Sequence, residues 1–254
     1  YNSSFLNGIS ISPRSNGNPD LTWEESKMFQ TGVEFSLGKY IDGAVDYYIK
    51  KTDNLIFDRR VGPSQGIAVV TVNDGQLENK GLEFDLTGHL FNTPNFKLDL
   101  TVNGEIINNQ ITTMPLEPST GLPRIVDTSV SPYGYSKGSS IYDFYTREWA
   151  GVDPSDGAPM WYQYFNDLNG NGILDSGEDS ILSMTNYLDE NPDANVAKQV
   201  TKTYASATNK YVGYSAIPDV RGAFRLAGQL GAFNFSTQFT YSIGGWALDN
   251  QYGE

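Results

Sequence analysis

The sequence contains no cysteine, so neither a disulfide framework nor a thiolate metal site is available to it. It has a single histidine, His89. No apolar run approaches the roughly 20 residues that a transmembrane helix needs. No basic-then-apolar secretion signal opens the chain, which begins Tyr1-Asn2-Ser3-Ser4. Basic residues are scarce: 17 Lys and Arg against 30 Asp and Glu give a formal charge of −13. That balance argues against a nucleic acid or an anionic lipid surface as the main partner. What remains is a hydrophobic fraction of 39%, with 13% aromatics. Such totals suit a soluble β-sandwich, or a membrane β-barrel in which only alternate strand residues meet lipid and the loops are polar.

Periodicity narrows the choice to all-β. In Lys27–Leu37 the odd positions Phe29, Thr31, Val33, Phe35 and Leu37 are apolar or β-branched, and the even positions are mostly polar or small. After Gly38-Lys39-Tyr40 the alternation resumes in Ile41–Lys51, which reads as a hairpin. Four more alternating runs follow: Gln76–Phe91, Phe96–Ile106, Arg221–Leu230 and Phe233–Ile243. Parity places Phe29, Val33, Phe35, Val45, Leu82, Phe84, Leu98, Leu100, Leu226, Phe235 and Phe239 on one face. Glu34, Asp46, Glu83, Asp85, Asp99 and Gln238, with His89, fall on the other. Tyr40, Phe91, Phe96 and Phe233 border the short links, where an aromatic girdle belongs.

The order of connections is short, long, short, very long, short. Tyr1–Asp20 reads as loop, Asp53–Gly75 as a long excursion, and Asn108–Pro218 as the long middle. Outer-membrane barrels segregate short turns to one rim and long loops to the other, whereas a sandwich has no reason to. Within the middle, Tyr142–Val152 is expected to pair with Met160–Phe165. A short helix is expected after Asn191-Pro192, with Val196 and Val200 on one side. Ser183–Ser206 lies outside every expected strand.

The wording of these segments is as informative as their period. Asn18-Pro19-Asp20-Leu21-Thr22-Trp23-Glu24 leads in, Asp46-Tyr47-Tyr48-Ile49-Lys50-Lys51-Thr52-Asp53-Asn54-Leu55 leads out, and Asn79-Lys80-Gly81-Leu82-Glu83-Phe84 opens the next run. Gly151-Val152-Asp153-Pro154, Asp167-Leu168-Asn169-Gly170-Asn171-Gly172 and Ile217-Pro218 continue the series. In this order they resemble the C-terminal barrel portion of the SusC/RagA family of TonB-dependent outer-membrane transporters, over nearly the whole chain. The resemblance implies residues 1–254 as part of a large antiparallel transmembrane barrel of about 22 strands, about six of them present, with 108–218 as an extracellular loop region. Since about eight strands is the floor for closure, the chain is expected to be a piece of a longer protein whose plug and first strands lie outside it.

Asp167–Glu178 matches the twelve-residue calcium-loop pattern. Asp167, Asn169 and Asn171 would offer side-chain oxygens, Ile173 a carbonyl, Asp175 a water-mediated contact and Glu178 a bidentate carboxylate. The other reading of the same residues is an ion-free surface loop rich in Asx turns. Gly134-Tyr135-Ser136-Lys137-Gly138 matches the nucleophile-elbow pattern, but it lacks the strand before and the helix after that such a serine needs. No catalytic residue is expected. Tyr133, Tyr135, Tyr142, Trp149, Trp161 and Tyr162 crowd the long middle, where aromatic faces could stack on sugar rings or peptide side chains.

By the resemblance, the protein imports oligosaccharides or oligopeptides across the outer membrane of a Bacteroidota-like Gram-negative bacterium. A SusD-like lipoprotein lid would sit on the long loops, and TonB would act through an upstream segment. The competing function is a soluble, calcium-stabilised β-domain that binds glycans or proteins at a cell surface.

Overall fold

The computed structural model of the chain describes residues 2–5, 9–12, 18–60, 69–117, 120–129 and 131–249. The strands in chain order begin with β1 (Asn2–Phe5), β2 (Ile9–Ser12), β3 (Glu25–Leu37), β4 (Ile41–Arg60), β5 (Val69–Asn92) and β6 (Phe96–Thr113). A middle segment follows with β7 (Asp143–Arg147), β8 (Trp149–Val152), β9 (Pro159–Asn166), β10 (Ser180–Ile181), helix α1 (Met184–Glu190), β11 (Val196–Thr201) and β12 (Asn209–Ser215). The chain then returns through β13 (Val220–Leu230) and β14 (Phe233–Ile243). Two compact units result: residues 1–122 with 217–247, and residues 123–216 with 248–254.

The first unit is a six-stranded antiparallel sheet in the order β14-β13-β6-β5-β4-β3. Each strand pairs with its sequence neighbour, and β13 pairs with β6 across the whole middle segment. The registers line residues into rows, each of one character because paired residues share a face. One row is Thr31–Tyr47–Leu82–Ile106, and two rows on lies Phe35–Gly43–Leu86–Val102–Phe224–Phe239. On the opposite face run Gly32–Asp46–Glu83–Glu105–Arg221–Ser242 and Glu34–Ala44–Asp85–Asn103–Ala223–Thr240. Every residue assigned by parity falls on its expected face.

The apolar rows are open. Val33 is 65% exposed, Phe29 62% and Phe239 54%. A sandwich would cover such a face with a second sheet, so the exposure speaks against that architecture. Aromatic rings fill the places where glycines leave the sheet bare. The Tyr48 ring lies over Gly81, where an added Cβ would sit 2.3 Å from it, which accounts for glycine in Asn79-Lys80-Gly81. Tyr241 covers Gly104 and Gly222, and its hydroxyl donates to the Asn103 carbonyl at 2.8 Å.

Several expectations are corrected. Residues expected as an N-terminal loop include β1 and β2, paired through Asn2–Ser12 to Phe5–Ile9. The excursion Asp53–Gly75 is largely strand, because β4 and β5 stay paired out to Arg60 and Val69 across a bulge after Thr52. Its tip lies outside the described residues. The long strands keep their backbone groups paired, with Asn54 (φ 59°) taking the positive-φ position of the irregular stretch. The lead-in is tied to them: Thr22 donates to the Asn73 side chain at 2.7 Å, and Glu24 accepts from the Ile56 amide at 3.1 Å.

In the second unit β9 is central. It pairs with β8, β10 and β11, while β7 pairs with β12. The expected hairpin therefore holds only for Trp149–Val152, whereas Asp143–Arg147 joins a distant partner. No helix follows Asn191-Pro192. The helix is Met184–Glu190, with Asn191 at its C-terminal cap, and Val196–Thr201 is a strand. β-Branched Val196, Val200 and Thr201 favour extension once β9 offers a ladder to join. Ser183–Ser206 is thus not free of strands, since it carries β11.

Candidate functional site

The polar face of the sheet is acidic. Asp46, Glu83 and Glu105 stand side by side on successive strands, and Arg221 closes the row with a 2.8 Å ion pair to Glu105. A shallow concavity of about 810 Å³ runs along this row, with Asp85 and Asn103 beside it. Nearer the short turns, His89 lies between Asp99 (Nδ1 to Oδ1, 2.7 Å) and Asp42 (Nε2 to Oδ2, 3.0 Å). Both ring nitrogens are engaged by carboxylates, so His89 clamps three strands together rather than serving as a free base.

The aromatic candidates of the middle segment separate into two clusters. Tyr133 stacks on Phe144 at 5.2 Å and meets Tyr142 edge-on at 6.3 Å. Tyr135 is bridged to Asp127 through both backbone groups, and Asp127 forms a buried ion pair with Arg124. In the other cluster Trp149 meets Trp161 at 5.9 Å, and Trp161 meets Tyr204 at 5.1 Å. The Arg147 guanidinium lies over Tyr204 at 4.1 Å. Trp149 and Tyr204 are about half exposed, so this second cluster presents open ring surface. Tyr162 is on the other face of β9 from Trp161, capped by the Lys198 ammonium 3.8 Å above its ring. Tyr204, Arg147 and Lys198 had no signal in sequence spacing, because cross-strand pairing brings them in from far along the chain.

Glu148 anchors this sheet. It accepts hydrogen bonds from the Tyr164 hydroxyl and from Lys210 at 3.1 Å, with Lys198 at 3.9 Å. Burial pushes its carboxyl up, but Tyr164, Lys210 and Lys198 outweigh that and leave it below the usual value. Lys202 likewise lowers Asp153 and Asp156 by hydrogen bonding to both. Lowered carboxylates stabilise the fold above their ordinary pKa, and that contribution is lost as pH falls through the folded value. Amide-exchange protection of β9 and β11 should therefore hold from neutral pH down to about 4 and fall below it. In Lys210→Gln the fall should begin at higher pH. An unchanged profile would remove Glu148 from this role.

The loop Asp167–Glu178 connects β9 to β10. Asp167 is buried, and its oxygens accept from the amides of Gly170, Asn171 and Gly172. Glu178 accepts from the amides of Leu168 and Asp175. Asn169 and Asn171 donate through their side-chain nitrogens to Asp175 at 2.9 and 2.7 Å. The loop side chains hydrogen-bond to one another and to the loop amides, with the Asn169 and Asn171 amides turned nitrogen-first toward Asp175. Among the described residues no group of three or more His, Asp or Glu side chains is close enough to form a metal site. Ser136 is buried with its hydroxyl 2.6 Å from that of Tyr211, in a turn rather than at a strand-to-helix elbow.

A family model described as TonB dependent receptor-like, beta-barrel matches residues 1–236. The chain belongs to that family. TonB-dependent receptor SusC of Bacteroides thetaiotaomicron is 31% identical over 171 residues, covering 63% of this chain and 17% of its own length. TonB-dependent receptor P39 of Formosa agariphila is 25% identical over 260 residues, covering 94% of this chain and 24% of its own. The RagAB peptide importer in its closed-closed state shares the fold, with a TM-score of 0.68 at 21% identity over 98% of this chain and 24% of that one. The chain therefore spans about a quarter or less of the relatives it matches. It corresponds to a portion of a TonB-dependent receptor β-barrel. In a closed outer-membrane barrel, rows of apolar residues face lipid and polar rows face the lumen.

Proposed function

We propose that the full-length protein is an outer-membrane importer of oligosaccharides or oligopeptides, energised by TonB and closed by a SusD-like lipoprotein. The observation that carries this is a sheet with one exposed apolar face and one acidic face, joined at β6–β13 to a folded loop unit with open aromatic rings. Long loops and a negatively charged lumen suit bulky neutral or cationic solutes better than anions. The lid would contact the β4–β5 extension and the unit 123–216, in an interface above about 1,000 Å² if specific. Kinship with SusC and the likeness to a peptide importer support this reading and leave both solute classes in play.

Uptake by cells supplied with defined oligosaccharide and oligopeptide mixtures tests it. Deleting the gene should abolish uptake of one class. Re-expression should restore it, whereas a form with 123–216 replaced by a short linker should not. Removing Ser183–Ser206 alone is a poorer test, because it strips β11 from β9. Wild-type import by the linker form, with the lid still bound, would exclude capture by the loop unit.

We also propose structural calcium at Asp167–Glu178, supported by the donor pattern of the sequence. The Asn169 and Asn171 amides would turn their oxygens inward to join Asp167 and Glu178 as ligands. Calcium should protect this loop from protease in the full-length protein, and both Asp167→Ala and Glu178→Gln should abolish the effect. Identical digestion of the parent protein with calcium and with chelator would show that no ion acts here.

A further inference from the structure

One face of the β9 sheet carries a cation that the protein itself does not neutralise. Pairing puts Trp149 opposite Trp161 and Trp161 opposite Thr201, with Gln163 and Gln199 a paired couple on the same face. Arg147, two residues before Trp149, reaches this face too. Its guanidinium covers Tyr204 at 4.1 Å, and Tyr204 meets Trp161 at 5.1 Å. Glu148, between Arg147 and Trp149, turns the other way to Tyr164 and Lys210. Arg147 thus brings a positive charge to a face otherwise made of rings, amides and a hydroxyl, in a chain of formal charge −13.

No carboxylate among the described residues pairs with Arg147, and its Nε is buried without an acceptor. Burying a donor that finds no acceptor costs stability. An arginine serving only the fold would take a carboxylate, as Arg124 takes Asp127 and Arg221 takes Glu105. Here the stack on Tyr204 fixes the guanidinium plane instead. A planar fork held in this way matches a carboxylate, which accepts two parallel N–H bonds. Trp149 lies about 7 Å along the chain from Arg147. Its ring is 54% exposed, so a carboxylate on Arg147 would have indole surface within the reach of one large side chain. A uronate-rich glycan offers carboxylates but brings a negative charge with each acidic sugar to an acidic protein. A peptide offsets its terminal carboxylate with its amino terminus.

We infer that Arg147, with Trp149 and Tyr204, holds the C-terminal carboxylate and the last apolar side chain of an oligopeptide. This rests on the reading of the full-length protein as an importer, and it selects peptides from the two solute classes.

The test is calorimetric titration of the detergent-solubilised full-length protein with the peptide Ala-Ala-Ala-Ala-Phe, with its C-terminal amide, and with trigalacturonate. The free acid should bind about tenfold more tightly than the amide. Arg147→Gln should bring acid and amide to equal affinity, whereas Trp149→Ala should weaken both by a similar factor. Lys39→Gln, in the short β3–β4 turn, should change neither. Protease resistance of 123–216 equal to the parent's shows that a variant is folded, and the acid–amide comparison on the parent protein needs no variant. Equal binding of acid and amide by the parent, or binding of neither, would overturn the site. So would tighter binding of trigalacturonate than of the acid, or an acid preference that survives Arg147→Gln. Uptake by cells separates the two ideas. Import of oligosaccharides alone would sink this inference and keep the importer. Import of neither class would sink the importer reading, while an acid preference in the titration would still uphold the site.

Discussion

Leu100→Arg should destabilise the full-length barrel by about 2–4 kcal/mol, the cost of a mid-strand cation on the lipid face. Leu100 sits in the row Leu37–Ile41–Gly88–Leu100–Leu226–Thr237, where no outward neighbour carries charge. An arginine there has neither water nor a carboxylate to meet. Moving the same substitution one residue along the strand reverses its environment, although Thr101 faces Arg225 directly and would bring two cations together. Thr87 is the better inward comparison. It stands opposite Asp42, and arginine there loses one hydroxyl contact, to Thr101 at 2.8 Å, while gaining a carboxylate partner. Thr87→Arg should cost no more than about 1 kcal/mol. Urea titration of the reconstituted protein, read by intrinsic fluorescence, measures both. Equal tolerance at the two positions would invalidate the assignment of faces.

Phe165→Ala should unfold the loop unit while sparing the barrel sheet. Phe165 is fully buried near the C-terminal end of β9, between Ser180 of β10 and Ala197 of β11. Truncation of a buried phenylalanine costs about 3–5 kcal/mol, a large share of what a unit of this size commands. Limited proteolysis of the full-length protein in detergent should then cut within 123–216 at low protease. The strands β3–β6, β13 and β14 should stay protected, and lid binding and uptake should fall together. Full lid binding with a proteolysed loop unit would falsify its role in docking.

The six barrel strands, their faces and the order of their connections were legible in the sequence because a strand's side-chain period is local. Phe29 to Leu37 alternates whether or not a partner is known, and a one-residue slip would turn every apolar residue to the wrong face. The calcium pattern and the family likeness were legible for the same reason: each is a run of residues within one segment. What the sequence by itself determined was therefore the alternation and the turns. Only the tertiary structure decided the pairings of the middle segment. Val196–Thr201 is a strand because β9 lies open beside it, and Asp143–Arg147 turns from the near hairpin to β12. The extension of β4 and β5 to Arg60 and Val69 has the same cause, since each strand supplies the other's hydrogen bonds past the point where alternation fades. Such partners are set by closing long stretches of chain, which buries Phe165 and pairs backbone groups at once, and no local period encodes that choice.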